Sequence, residues 1–431
     1  MKFFLLLSLA LSATALAAEE ARVEDILSSI RKSHPEILAA ESESTAARKK
    51  ADGSSLVYPD PEIMFMRGTG SGRDLMFFPN QDVQNSQIRE AEVRVSQGIP
   101  FPGKLTLEAR ATRARSSLMD ARLNLEGNRI SAEYLALFAR LIKLKKEILL
   151  LTEYETTLGG LEYLVFKNYR EGRGLAAEGK LVTAEKLSTA ETIQGMKAER
   201  AELLENLKYY SPVMASDASF ESFMEALTAR VNGQTLEAGS IEKLPEVAYA
   251  SSMIEIKESE KKRSYLNHAP DLAFFGGYKT RNTEGSFTAL SRGREKMGLV
   301  GLTVRVPVWS FFGNQKISDA LDDENRSAVL SKDALVSKLR NRIQGLKGRI
   351  AITGERLHTH THQISPISAQ SSEAAVNAYR SGRGSTETVM VALDRNFKHR
   401  IDELAVRLEL HSLLIEAGSA LNQLSLVGES K

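Results

Sequence analysis

The densest run of chemistry-bearing side chains is His358-Thr-His-Thr-His362. On a helix, His358 and His362 lie one turn apart on one face, a spacing that can hold a metal ion, while His360 points elsewhere. Glu355 is the one carboxylate nearby in sequence, and structural zinc takes four ligands. The segment therefore reads first as an exposed polar stretch, with His358 and His362 as subordinate metal candidates and a pH-sensitive patch as a further alternative. His411 falls on the apolar stripe of the last helix and reads as a packing histidine. Gly68, Gly70 and Gly72 follow a strand but open no helix and lack the Lys-Ser/Thr of a phosphate loop. The sequence contains neither G-x-S-x-G nor H-E-x-x-H, and nothing in it assembles a catalytic triad. Cysteine is absent, which excludes disulfides, thiolate metal sites, a cysteine nucleophile and an N-terminal lipid-modified cysteine. The expectation is no enzyme and no cofactor.

Composition narrows the rest. Hydrophobic residues make up 42% of the 431, enough to fold a chain of this length. The 57 basic and 55 acidic residues leave a net charge of +2, so nucleic acid is not the expected partner. Lys2, the apolar run Phe3–Leu11 and Ala15-Leu16-Ala17 read as a cleavable signal peptide over 1–17. No later run approaches the roughly 18 apolar residues of a membrane helix. An exported chain of this kind enters a membrane only as a β-barrel.

The elements that must carry these residues repeat. Tyr169-Arg-Glu-Gly-Arg-Gly174 recurs as Tyr379-Arg-Ser-Gly-Arg-Gly384, an offset of 210. Pro35-Glu36 recurs as Pro245-Glu246, Pro61-Glu62-Ile63 as Pro270-Asp271-Leu272, and Ile99-Pro100-Phe101 as Val306-Pro307-Val308. Four landmarks in one order mark a duplicated half-molecule. The first repeat, 18–210, is expected to hold a helix over 22–57, strands over 61–67 and 89–99 around a loop, a long helix over 104–169 and a return helix over 178–209. The second, 242–424, is expected to hold a helix over 242–267, strands over 270–279 and 297–306, a long helix over 314–379 and a return helix over 386–424. Residues 211–241 read as an irregular connector and 425–431 as a tail.

Each long helix would span about 100 Å at ~1.5 Å per residue. Tyr134, Leu137, Leu141, Leu144, Ile148 and Leu151 step by three and four, a coiled-coil seam. Gly159-Gly160 and Pro366 are expected to loosen the two long helices, and each Gly-x-Gly to cap one. The second strands alternate: Ala91, Val93 and Val95 against Glu90, Glu92 and Arg94, and Val300, Leu302 and Val304 against Gly301, Thr303 and Arg305. Four strands per chain cannot close a barrel, and an open edge cannot sit in lipid, so other copies must complete it; three copies give twelve strands with room for a pore. Trp309, Phe311, Phe312 and Phe101 stand where an interfacial girdle would lie.

The motifs His34-Pro-Glu-Ile-Leu, Tyr58-Pro-Asp-Pro-Glu-Ile, Ser96-Gln-Gly-Ile-Pro-Phe-Pro-Gly-Lys104 and Leu302-Thr-Val-Arg-Val-Pro-Val308, with the two Tyr-x-x-Gly elements, resemble the TolC family of outer-membrane efflux proteins. The Pro-Phe-Pro-Gly-Lys form is most similar to its heavy-metal-efflux (CzcC/CusC-like) branch. The resemblance implies a mainly α fold with membrane β: a homotrimer whose twelve-stranded barrel in outer-membrane lipid continues into a periplasmic α-barrel. It implies a periplasmic adaptor and an inner-membrane pump of the RND type as partners. It places Tyr169, Gly172, Arg173, Gly174, Tyr379, Gly382, Arg383 and Gly384 at adaptor-docking tips, and Asp394, Glu185 and Glu387 as candidates for an acidic gate. Arg395 stands where the family has Ala after Leu-Asp, and the usual paired Asp is missing. A type I protein-secretion conduit is the alternative within the class; a periplasmic coiled-coil scaffold without a pore is the alternative outside it.

Overall fold

A computed structural model describes residues 21–54, 58–71, 87–234, 238–284, 294–307 and 310–424. The expected signal peptide, the tail, Gly72 and Trp309 lie outside them, as do the side chains of Phe311 and Phe312. The chain divides into two compact units, one of Met1–Ala40, Leu123–Pro245 and Val336–Lys431, the other of Glu41–Arg122 and Glu246–Leu335.

In the second unit, β1 (Glu62–Ser71), β2 (Gln87–Ile99), β3 (Asp271–Glu284) and β4 (Arg294–Arg305) form one sheet in the order β1-β2-β3-β4. All three pairings are antiparallel, and the central β2–β3 pair joins the two halves of the chain. The strands run further than the local sequence suggests. Gly68, Thr69 and Gly70 stand in register opposite Glu90, Arg89 and Ile88, and Thr280–Glu284 pairs with Gln87–Ala91. Glycine is a poor strand former alone, but a ladder with partners fixes its backbone.

The same unit contains α7 (Pro245–Leu266) and the starts of two long helices, α3 (Lys104–Arg170) and α8 (Ser310–Thr359). Ala114 and Leu118 of α3 pack on Ile256 of α7. The small alanine lets the helices approach, and ion pairs line the rim: Arg110–Glu255 at 3.0 Å, Arg115–Glu260 at 2.7 Å and Lys257–Glu324 at 2.6 Å.

The expected helix over 22–57 is two helices, α1 (Val23–Ser33) and α2 (Pro35–Ser54). His34 between them is extended, at φ −69° and ψ 128°, because the Pro35 ring disfavours helical backbone before it. The connector 211–241 is not irregular either. It holds α5 (Asp217–Gly233), started by the Ser216 side chain accepting from Ser219 N at 3.1 Å, and a short α6 (Ala238–Ile241). Its Phe220, Phe223, Met224, Leu227 and Val231 repeat at helical spacing and are all buried. That stripe is present in the sequence, but the Ser-Pro start and polar surroundings mask it.

The return helices are α4 (Ala176–Tyr210) and α10 (Thr386–Ala420). The expected loosening at Gly159-Gly160 is absent: α3 runs through both glycines as continuous helix. The second long helix is interrupted. A π-helical turn spans His360–Ile364 before α9 (Ser365–Arg380), and Ser365 N–H donates to the His360 carbonyl five residues back. Pro366 has no N–H for the His362 carbonyl, so the ladder widens just upstream of it.

Candidate functional site

The candidate site residues fall in two places, and each lies within one unit. The first is the sheet. Ile63 and Phe65 of β1, Val93 and Val95 of β2, Phe274 and Tyr278 of β3, and Val300, Leu302 and Val304 of β4 share one face, as the registers require. All are exposed, Val300 to 93% and Ile63 to 74%. An isolated soluble sheet does not leave a face of this composition bare. The opposite face is charged. Glu90 forms ion pairs with Lys279 at 2.9 Å and Arg281 at 3.0 Å, Arg94 pairs with Glu92 at 2.6 Å, and the Arg94 guanidinium lies 4.8 Å over the Phe275 ring. Lys104 closes the end of β3 with Asp271 at 2.8 Å, and Phe101 N–H donates to the same carboxylate. β1 and β4 are the two edges of the sheet.

The second place is the pair of hairpin tips. After α3, Gly172 takes φ +75°; its N–H donates to the Tyr169 carbonyl at 3.0 Å and Arg173 N–H to the Asn168 carbonyl at 2.8 Å. After α9, Gly382 takes φ +72°, with Gly382 N–H on Tyr379 at 3.0 Å and Arg383 N–H on Ala378 at 2.9 Å. Both are Schellman turns, and the left-handed residue is glycine because a Cβ costs about 1 kcal/mol there. Arg173 and Arg383 are exposed, and Arg173 pairs with Glu171 at 2.8 Å, where the second tip has Ser381. Gly174 and Gly384 are half-buried behind the turns.

The two tyrosines differ. Tyr169 is 48% exposed, whereas Tyr379 is 8% exposed and its phenol accepts from Asn168 Nδ2 at 3.2 Å. Thr386, buried at the start of α10, donates to Glu178 at 2.9 Å and lies 3.4 Å from the Tyr379 hydroxyl. Asn168, Glu178, Tyr379 and Thr386 thus latch the first hairpin to the second, and the Tyr379 side chain belongs to that latch rather than to the outer surface. Nothing in the sequence singles out Asn168, Glu178 or Thr386.

Below the latch lies a shared apolar cluster of Tyr154, Leu158, Leu161 and Val165 from α3, Val182 from α4, Tyr379 from α9, and Val389, Leu393 and Phe397 from α10. Tyr154 packs on Phe397 at 4.5 Å between ring centres. Burial pushes the Tyr154 phenol well above its ordinary range, and the charges of Glu185 and then Asp394 push the same way. In the repeat alignment the two carboxylates are one position out of step. Glu185 is half-buried and Asp394 exposed. Each is followed by a base, Lys186 on Glu162 at 3.0 Å and Arg395. Glu387 is not with them: it lines the groove between α9 and α10 with Arg395 and Ile367. Sequence reasoning did not single out Tyr154, whose helical spacing marks it only as core.

His411 is buried against Phe220, with Nε2 3.5 Å from Glu221. Burial lowers its pKa to about 4, outweighing the opposing pull of Glu221. His358 and His362 are both exposed, their ring centres 4.4 Å apart. Among the described residues no group of three or more His, Asp or Glu side chains gathers as a metal site.

The class these features define is a duplicated chain of long helical hairpins bearing a small antiparallel sheet with one apolar and one charged face. No helix among the described residues is long and apolar enough to cross a membrane. No protein-family model matches the chain, and no curated protein matches its sequence. Solved structures do match its fold. The outer-membrane channel OprN superposes with a TM-score of 0.74 at 14% identity, covering 93% of this chain and 90% of that one. The outer membrane protein VceC from Vibrio cholerae gives 0.73 at 14% identity, covering 93% and 96%. CusC, described with its transmembrane channel formation, gives 0.75 at 13% identity, covering 93% and 92%. At these identities the likeness is one of fold, mainly α with a β portion. CusC stands level with OprN and VceC, so the structures single out no branch.

Proposed function

We propose that this chain is the subunit of an outer-membrane exit channel in a tripartite efflux assembly, three copies closing one twelve-stranded barrel. The observation that carries it is the sheet: a bare apolar face, a charged opposite face and two edge strands on a chain whose fold matches channels. Lipid would cover the first face, water the second, and β4 of one copy would pair with β1 of the next. The helical hairpins would continue the duct into the periplasm. Their tips, with Gly172, Arg173, Gly382 and Arg383 outermost, would meet an adaptor fed by an inner-membrane pump.

Glu185 and Asp394 form the acidic element of this reading. Three copies of the pair facing a lumen make an anionic ring that attracts cations. That ring, with the Pro100-Phe-Pro-Gly-Lys104 motif, favours metal cations as the exported class. The channel performs no chemistry; transport energy belongs to the pump. The test is single-channel conductance of the purified protein in planar bilayers, wild type against Asp394→Ala. Discrete steps with reduced cation selectivity in the variant are expected. Steps of unchanged selectivity discard Asp394 as a gate, and failure to insert at all overturns the channel.

A further inference from the structure

The His358–His362 pair gains a geometry that its spacing alone does not supply. The two rings have centres 4.4 Å apart and planes inclined by 52°. A metal–nitrogen bond of about 2.1 Å puts a ring centre roughly 3.2 Å from the ion, so a right angle at the ion sets the centres about 4.5 Å apart. A tetrahedral angle would set them about 5.2 Å apart. The observed separation matches the right angle.

The backbone explains the approach. In a regular α-helix, side chains four apart are about 40° out of line. The step from His358 to His362 is mixed: two residues of α-helix at about 100° each lead into two of the wider π-helical turn His360–Ile364 at roughly 80° each, which together come close to a full circle and align the two side chains. That turn is pinned from α10: Thr361 Oγ1 and Ser365 Oγ donate to the two oxygens of Glu403 at 3.1 and 2.9 Å. The pinned hydroxyls are half-buried, whereas His358 and His362 are exposed. His360 differs from both, with a buried Nδ1 that has no hydrogen-bond partner among the described residues.

We propose that His358 and His362 form a two-imidazole chelate for a divalent transition-metal ion that accepts cis ligands at a right angle, Cu2+ before Ni2+. Water completes the shell, since no third protein carboxylate or imidazole converges among the described residues. Square-planar and tetragonal nitrogen–oxygen sites are the preference of these two ions, and the Irving–Williams order puts copper first. The site lies within one chain and does not rest on the channel reading.

The test uses full-length protein without an affinity tag, in detergent, titrated with Cu2+ by calorimetry and followed by electron paramagnetic resonance. The expected result is one ion per chain with hyperfine structure from two nitrogens and weaker binding of Zn2+. His358→Ala and His362→Ala should each weaken Cu2+ by on the order of tenfold or more, because each removes the intramolecular second ligand. His360→Ala should leave affinity unchanged, and circular dichroism should show all three variants folded. Absence of saturable binding overturns the proposal. So does binding unaffected by either outer histidine, or binding lost equally in His360→Ala.

Discussion

The two helical hairpins of this chain share a turn and differ in almost everything the turn touches. Both end in a Schellman turn around glycine, with the same bonds within about 0.1 Å. In the first, Tyr169 faces outward and α3 is unbroken for 67 residues. In the second, Tyr379 is buried, a π-helical turn interrupts the ascent, and Ser385 caps α10 by accepting from Thr388 N at 3.2 Å, where Leu175 offers no cap. Duplication preserved the local geometry, and the burial around it diverged.

The sharpest way to break this contrast is Phe397. It is 5% exposed in the shared cluster, and Leu187, 210 positions earlier, is 65% exposed. Phe397→Ala should cost about 3–5 kcal/mol in guanidinium unfolding. Leu187→Ala should stay within about 0.5 kcal/mol in a dissociated chain. Equal costs in the dissociated chain would mean that Leu187 is packed within the chain as Phe397 is, and would erase the difference between the hairpins.

His411 gives the next effect. Its counterpart 210 positions earlier is Ala201, so only the second repeat should titrate this way. The unfolded imidazole binds a proton near pH 6.5, and the folded one only near pH 4, because burial outweighs Glu221 while Arg407 and Lys146 oppose the charge. The unfolded chain therefore holds more protons in that window. The His411 contribution is fully present above about pH 6.5 and is lost as pH falls toward 4, by about 3 kcal/mol at most. His411→Leu should remove that slope from stability measured between pH 7 and 4; an unchanged slope would assign it to other groups.

The smallest effect expected is at the latch. Thr386→Ala makes the second hairpin like the first, which has Ala176 at the matching position. Loss of the bond to Glu178 should cost about 1–2 kcal/mol and speed amide exchange at both tips. Faster exchange at the second tip alone would show that the hairpins are held together elsewhere.

Much of the fold was legible because it is written in periodicity and punctuation. Helix-spaced apolar residues along 134–151, alternation along 90–96 and the Gly-x-Gly ends each follow from geometry a few residues wide. The shortfalls came where long-range partners decided. Gly68–Gly70 became strand only because β2 supplied a ladder, and α5 was hidden in a segment whose polar start suggested a loop. At the site, the tip glycines were readable from the repeat. The latch of Asn168, Glu178, Tyr379 and Thr386 was not, since a one-residue step turns a helix by about 100° and only packing sets how each helix is rotated.

The sequence by itself determined the duplicated plan, the absence of cysteine chemistry, the alternating faces of the strands and the glycine turns. These depend on residue type and near-neighbour spacing, which fix backbone preference and amphipathic period. Tertiary structure alone decided which of the two hexapeptide tyrosines is buried, which side chains latch the hairpins together, and how closely His358 and His362 approach. Those depend on helix rotation and on one widened turn, whose free energies come from contacts many residues apart that no local pattern encodes.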